Sequence, residues 1–167
     1  TFALIENIFE PLKTEFLRMN PASAEMAKHA LNAFLATSLT FMYDIADLCE
    51  KTGADVIDVT KALKSDPRIG QSAYLDASIG FSGGTLGRDL RAMMSEAERN
   101  NIALPIISNV YSKNAERRHA FIARVKETLG GLSGKTIGLL GVTYKVGTPT
   151  LRRSLALEVA ALLKKEG

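Results

Sequence analysis

A glycine-rich segment stands between two helical patterns and carries residue types suited to ligand binding. Residues 79–89 read I-G-F-S-G-G-T-L-G-R-D, with four glycines within eight positions. Glycine permits positive φ, so backbone N–H groups can turn toward a ligand, and a helix that begins at about Leu86 would point its positive end the same way. The segment therefore predicts a loop that closely approaches an anionic ligand.

A lysine and an asparagine form a second group with chemical potential. Lys28 and Asn32 are four residues apart in a helical pattern, so they project from one face. A buried lysine beside an amide can polarise an alcohol or bind an oxyanion. Taken alone, the pair favours the ordinary alternative, in which the lysine reaches solvent and the amide bonds locally.

Three segments resemble motifs of one enzyme family and follow one another in the family's order. The glycine-rich segment resembles the active-site loop G-F-G-G-S-C-F-P-K-D of the UDP-glucose/GDP-mannose dehydrogenase family. Residues 24–36 resemble that family's helix A-E-x-x-K-x-x-x-N-x-x-L-A. Residues 141–154, which we call the lysine–arginine segment, read G-V-T-Y-K-V-G-T-P-T-L-R-R-S and resemble G-x-x-[FY]-K-x-x-T-D-D-x-R-E-S.

The resemblance implies a set of site residues. Lys28 and Asn32 would lie beside the reacting sugar carbon, Asp89 near the nucleophile, and Thr85 at the position of the nucleophilic cysteine. The motifs further imply substrate contacts by these residues: Gly80, Phe81, Gly83, Gly84, Arg88, Lys145 and Arg152. Without the motifs, first-turn capping would explain the aspartate, and an ordinary solvated loop would explain the last lysine and arginine.

The resemblance also implies the activity and organisation of the whole protein. It would oxidise the C6 alcohol of a UDP- or GDP-sugar with NAD, as a homodimer built on a helical domain. Residues 1–131 would be that domain, and residues 132–167 the truncated start of a C-terminal α/β domain for the nucleotide sugar. No G-x-G-x-x-G spacing follows the strand pattern, so the NAD-binding domain is expected to be absent and this sequence alone inactive.

The residue at the nucleophile position departs from the family pattern. The family holds its intermediate on a cysteine thiolate between two NAD-dependent oxidations, whereas a threonine hydroxyl needs an adjacent general base. The loop contains neither histidine nor lysine. Arg88 and Gly87 replace the family's lysine and proline, and Pro149, Thr150 and Arg153 replace three acids of the lysine–arginine segment.

Two other functions remain open at this level. A two-electron 3-hydroxyacid or 6-phosphogluconate-type dehydrogenase also has a lysine and an asparagine on a long helix and needs no cysteine. It would leave the lysine–arginine segment unexplained. A non-catalytic dimerising protein that binds a nucleotide sugar is the other alternative.

The elements that would hold these residues are mainly helical. The pattern predicts an amphipathic helix over residues 1–20, interrupted near Pro11, and a long apolar helix over 24–51 that Ser23 caps and Gly53 ends. Further helices are predicted over residues 56–63, 86–100, 105–129 and 154–165, with a buried parallel strand over 135–141. The predicted fold class is mainly α, followed by one Rossmann-like strand–loop–helix unit.

Composition excludes several classes of protein. The net charge of +3 is spread among both signs of charge, so nucleic-acid binding is not indicated, and no apolar run approaches the ~18 residues of a membrane span. No signal peptide is visible, and a single cysteine, Cys49, predicts a cytoplasmic protein without internal disulfides. His29 and His119 lack the spacing of metal ligands.

Overall fold

The computed structural model describes residues 2–82 and 84–167, and six α-helices build the fold within them. Their bounds are Phe2–Phe9 (α1), Pro21–Thr52 (α2), Val56–Ser65 (α3), Leu86–Arg99 (α4), Pro105–Leu129 (α5) and Leu155–Lys165 (α6). A short 3-10 helix, Glu10–Leu12, follows α1. The prediction of a mainly α fold is confirmed.

Helix α2 is the longest element, and it begins three residues before the predicted start. Asn20 is its N-cap, because the side chain Oδ1 accepts a hydrogen bond of 2.8 Å from the backbone N–H of Ser23. The prediction that Ser23 caps this helix was therefore wrong: asparagine caps as well as serine, and Pro21 fits the first helical position. Gly53 ends the helix in the left-handed region at φ 77°, as predicted.

The N-terminal part is less helical than the sequence predicted. Regular α-helix ends at Phe9, and the 3-10 turn passes through Pro11, which cannot donate a backbone hydrogen bond. Residues 13–20 carry no helix. The predicted interruption therefore ends the helix rather than dividing it.

A core of seven buried side chains joins α2, α4 and α5. They are Ala33, Ala36, Leu39, Tyr43, Phe81, Leu90 and Val110. The two alanines add little bulk to this face of α2, and Tyr43 and Leu90 are completely buried in the cluster. A second buried cluster joins α5 to α6 and comprises Ile122, Leu132, Val159 and Leu163.

The predicted strand over residues 135–141 is not present. These residues lie outside any helix, and no strand occurs in the ranges that the structure describes. A strand is defined by hydrogen bonds to a neighbouring strand, and these residues have none within those ranges. The helix after it is present, with Ser154 as its N-cap. The division at residues 131 and 132 stays a prediction, although α5 and α6 pack across it.

No helix in the described part of the chain is both long enough and apolar enough to cross a membrane.

Candidate active site

A buried carboxylate joins α2 to α4. Asp89 lies in the first turn of α4 and is 1% exposed. Lys28 Nζ and Asn32 Nδ2, which project from the same face of α2, both donate hydrogen bonds to Asp89 Oδ2. The side chain of Lys28 remains 51% exposed, so its positive charge faces both the carboxylate and solvent.

Two further groups surround the other carboxylate oxygen. His29 Nδ1 lies 3.6 Å from Asp89 Oδ1, and Arg88 Nε lies 3.7 Å from the same atom. Burial would raise the pKa of Asp89, but the hydrogen bonds from Lys28 and Asn32 and the charge of Lys28 outweigh it and hold that pKa below its ordinary value. Asp89 is therefore ionised at neutral pH and orients the lysine and the amide.

The backbone before α4 is held by a side-chain amide on α5. Asn114 is 6% exposed; its Nδ2 donates to the Phe81 carbonyl at 3.0 Å, and its Oδ1 accepts from the Phe81 N–H at 2.7 Å. Gly80 has φ +127°, and a Cβ there would lie 3.0 Å from the same Oδ1. Only glycine meets both conditions without strain.

Ser78 provides a second attachment for the same backbone. Its hydroxyl lies 3.1 Å from Tyr43 OH, and its carbonyl accepts a 2.9 Å hydrogen bond from Arg117 Nε. Arg117 also pairs with Asp47 and lies over the Tyr43 ring, 5.3 Å from its centroid. Burial raises the pKa of Tyr43, so its phenol stays neutral at physiological pH.

A cavity of about 540 Å³ lies between this backbone and the lysine–arginine segment. Residues of both parts line it, among them Asn32, Gly80, Phe81, Thr85, Tyr144 and Lys145. Thr85 Oγ1 lies 3.2 Å from Tyr144 OH, within hydrogen-bond distance. The asparagine amide that bonds Asp89 therefore borders the same space as the threonine hydroxyl and a lysine.

Comparison with protein families decides the family of this chain. The model of the UDP-glucose/GDP-mannose dehydrogenase family, central domain, matches residues 22–116, more than half of the 167 residues. The chain belongs to this family. The family recognised from the sequence motifs is thereby confirmed.

Individual members of the family match beyond the central domain. The UDP-glucose 6-dehydrogenase TuaD of Bacillus subtilis is 35% identical over 99% of this chain and 36% of its own length. A UDP-glucose 6-dehydrogenase of Rickettsia prowazekii is 36% identical over 96% of this chain and 38% of its own length.

A solved structure agrees with these sequence matches. A UDP-glucose dehydrogenase from the archaeon Pyrobaculum islandicum superposes with a TM-score of 0.94 at 31% identity, covering 99% of this chain and 38% of that one. The chain therefore spans little more than a third of the length of these relatives.

The residues predicted for catalysis in this dehydrogenase-family chain lie in two adjoining places. Lys28, Asn32 and Asp89 meet directly, and Thr85 is the residue before α4, bordering the cavity. Lys28 is half exposed rather than buried, so its positive charge, and not its desolvation, would act on a ligand. Their catalytic roles stay predictions.

The residues predicted to bind substrate are less uniformly gathered. Gly80, Phe81 and Lys145 line the cavity. Gly84 lies against the Tyr144 ring, and Arg88 is exposed beside Asp89. The exposed Arg152 is not among the cavity-lining residues. The prediction for Gly83 falls outside the described residues.

Three contributors were not recognised from the sequence. His29 was given no role from the sequence except that it lacks metal-ligand spacing, yet its Nδ1 lies 3.6 Å from Asp89 Oδ1, and its spacing of three residues from Asn32 was the available signal. Asn114 gave no signal, because its partner is the backbone of a residue 33 positions away. Tyr144 was noted only as part of a motif, and no pattern linked its hydroxyl to Thr85.

Proposed function

We propose that this chain is the central part of a nucleotide-sugar dehydrogenase that oxidises the C6 alcohol of a UDP- or GDP-sugar. The observation that carries the proposal is the Lys28–Asn32–Asp89 cluster beside the cavity that Thr85 and Lys145 line. UDP-glucose is the first substrate to test, since relatives named UDP-glucose 6-dehydrogenase align with nearly the whole chain. We further propose a cytoplasmic homodimer.

The cluster has groups suited to binding and polarising an alcohol. The Lys28 ammonium has three donors, of which Asp89 takes one, so others remain for a substrate oxygen. Asp89 orients the ammonium and the Asn32 amide by accepting their hydrogen bonds. Supporting hydrogen bonds of this kind fix the positions of reacting groups in other enzymes. Lys145 lines the same cavity and adds positive charge, which suits the diphosphate of a nucleotide sugar.

The common dinucleotide-binding motif is not apparent in the sequence. That motif joins a strand to a helix through a glycine-rich turn, and no G-x-G-x-x-G spacing occurs in the sequence. When bound, NAD would supply the hydride acceptor, and we propose that another part of the protein binds it. We therefore expect residues 1–167 alone to form no NADH from UDP-glucose. Absorbance at the NADH band would check this, and turnover by this chain would contradict it.

The test of the proposed function is the effect of Lys28 on turnover by the full-length protein. Replacing Lys28 with Ala should lower kcat for UDP-glucose by about a hundredfold or more, because a positioned polar group acts on the reacting alcohol. Lys51→Ala, an exposed lysine of the same helix, is the matched control and should leave kcat within about twofold.

The outcomes separate the dehydrogenase from the alternatives. Turnover of a nucleotide sugar that depends on Lys28 supports the proposal. Binding of nucleotide sugars without turnover by the full-length protein would favour the non-catalytic homologue. Preference for a small hydroxyacid would favour the 3-hydroxyacid type.

A further inference from the structure

We propose that Thr85 and Tyr144 form a paired-hydroxyl site that binds one hydroxyl oxygen of the sugar, and that Ser82 and Arg153 position this pair. The inference rests on the proposed function, because it places a nucleotide sugar in the cavity. It gives Thr85 a binding role in place of the covalent role of a cysteine.

The two hydroxyls leave hydrogen-bonding capacity for a ligand. Thr85 Oγ1 and Tyr144 OH lie 3.2 Å apart, and both residues line the 540 Å³ cavity. Each hydroxyl has one O–H donor and two acceptor positions, so one mutual hydrogen bond leaves one O–H and several lone pairs unused. A sugar hydroxyl both donates and accepts, which makes it a matched ligand for such a pair.

A clamp formed by Ser82 and Arg153 holds the two hydroxyls in place. Ser82 Oγ donates a 2.6 Å hydrogen bond to the Arg153 carbonyl, and Arg153 Nη1 donates a 3.3 Å hydrogen bond back to the Gly84 carbonyl. A Cβ at Gly84 would lie 3.5 Å from Tyr144 Cε2 and 3.6 Å from Arg153 Cδ. The lysine–arginine segment therefore packs directly on the backbone that precedes Thr85.

Two departures from the family motifs form this clamp, and a third lies beside it. Ser82 stands at a glycine of the loop pattern, Thr85 at its cysteine, and Arg153 at a glutamate of the second pattern. The Ser82 hydroxyl and the Arg153 guanidinium each donate to a backbone carbonyl of the other segment, and Gly84, which the guanidinium bonds, precedes Thr85. Within residues 2–82 and 84–167, the side-chain hydrogen bond recorded for Thr85 is with a phenol, which is a poor base for a nucleophile at neutral pH.

The experiment measures how strongly the full-length protein prefers UDP-glucose over UDP. Calorimetric titration would give the Kd for each ligand with the parent protein and with Tyr144→Phe, Thr85→Val and the double variant. Tyr111→Phe removes a tyrosine hydroxyl that lies outside the cavity lining and is the matched control. Thr85→Ser keeps the hydroxyl and tests rescue.

The paired site predicts a loss that is specific to the sugar. Each single variant should weaken UDP-glucose binding by about three- to tenfold, as for one neutral hydrogen bond, and change UDP binding by less than about twofold. The double variant should weaken UDP-glucose binding by about as much as either single variant, because both substitutions break the same site. Thr85→Ser and Tyr111→Phe should each stay within about twofold of the parent protein.

Four results would overturn the inference, and the last of them would also overturn the proposed function. Additive losses, equal losses for UDP and UDP-glucose, or a control as damaging as Tyr144→Phe would remove the paired site and leave the proposed function intact. Failure of the full-length parent protein to bind either ligand would contradict both the paired site and the proposed function.

Discussion

At the scale of single residues, the cost of breaking the Asp89 cluster depends on which charge is left behind. Lys28→Met leaves the carboxylate 1% exposed without its hydrogen-bonded cation and with Arg88 3.7 Å away, whereas Asp89→Asn leaves an ammonium that is 51% exposed and can be hydrated. We expect Lys28→Met to lower the free energy of unfolding by about 2–4 kcal/mol and Asp89→Asn by about 1 kcal/mol. Urea unfolding at pH 7 measures both.

The pH dependence of these costs has a definite sign. The pKa of Asp89 in the folded protein lies below that of an unfolded aspartate, which is about 3.9. The contribution of ionised Asp89 to the free energy of unfolding is therefore fully present above about pH 4, and it is lost as the pH falls through the folded pKa. Both costs should therefore shrink as the pH falls below about 4. Lys51→Met, on the same helix, is the control and should lower the free energy of unfolding by less than about 1 kcal/mol. If the cost of Lys28→Met did not change with pH, its partner would not be the ionised Asp89.

The identity of residue 85 should decide the product of the full-length enzyme. With a threonine there, the first oxidation can proceed, but the aldehyde has no thiolate to capture it, so we expect aldehyde or its hydrate to be released. Thr85→Cys should shift the product toward the uronic acid, with a rate limited by loop placement, since an error of about 1 Å can cost about a hundredfold. Mass spectrometry of the products measures the shift.

Thr85→Ser is the control for that substitution, because it keeps a hydroxyl and should keep the parent product. Efficient formation of the acid by the unmodified protein through an ester on Thr85 would show that the hydroxyl is a competent nucleophile.

At the scale of elements, α5 holds the backbone of the glycine-rich segment at Phe81 through the side-chain amide of Asn114. Asn114→Leu would leave the N–H and carbonyl of Phe81 without their partners in a buried place. We expect the free energy of unfolding to fall by about 2–4 kcal/mol, since each unpaired buried group costs about 1–3 kcal/mol. Urea unfolding measures the loss, and faster proteolytic cleavage near residue 81 would locate it.

The matched control for this element is Asn109→Leu, an exposed asparagine on the same helix. Its cost should stay within about 0.5 kcal/mol. Equal costs for the two asparagines would mean that Asn114 does not hold the loop.

At the scale of the whole molecule, α2 has an apolar face that the described residues leave open. Leu31, Phe34, Phe41 and Leu48 recur at spacings of three and seven residues, so they lie on one side of the helix, and each is at least 50% exposed. Burial of each such side chain contributes about 1.5–3 kcal/mol. A second copy of the chain, packed through the same face, would cover them symmetrically.

We therefore expect a homodimer at low micromolar concentration, measured by analytical ultracentrifugation. Phe34→Glu together with Phe41→Glu should give monomers, because charges would face each other across the interface. Ile57→Glu, at an exposed isoleucine of α3, should leave the dimer intact. A stable monomer of the parent protein would refute this interface.

Local sequence determined the helices and most of their ends. The apolar spacing and the caps at Asp55, Ser154 and Gly53 are local features, and α5 follows the predicted bounds of residues 105–129. Motif spacing also identified the family and the Lys28–Asn32 pair, because residues four apart on a helix must share a face. The local prediction was wrong over residues 13–20, where no helix resumes after the break at Pro11.

Only the tertiary structure decided which groups meet across the chain. The Asp89 carboxylate reaches Lys28 from 61 residues away, Asn114 bonds Phe81 across 33, and Tyr144 meets Thr85 across 59. The sequence also predicted a strand over residues 135–141, but a strand needs a partner that local pattern does not supply. Propensity and capping act over a few residues, whereas these contacts depend on how α2, α4, α5 and the lysine–arginine segment pack in three dimensions.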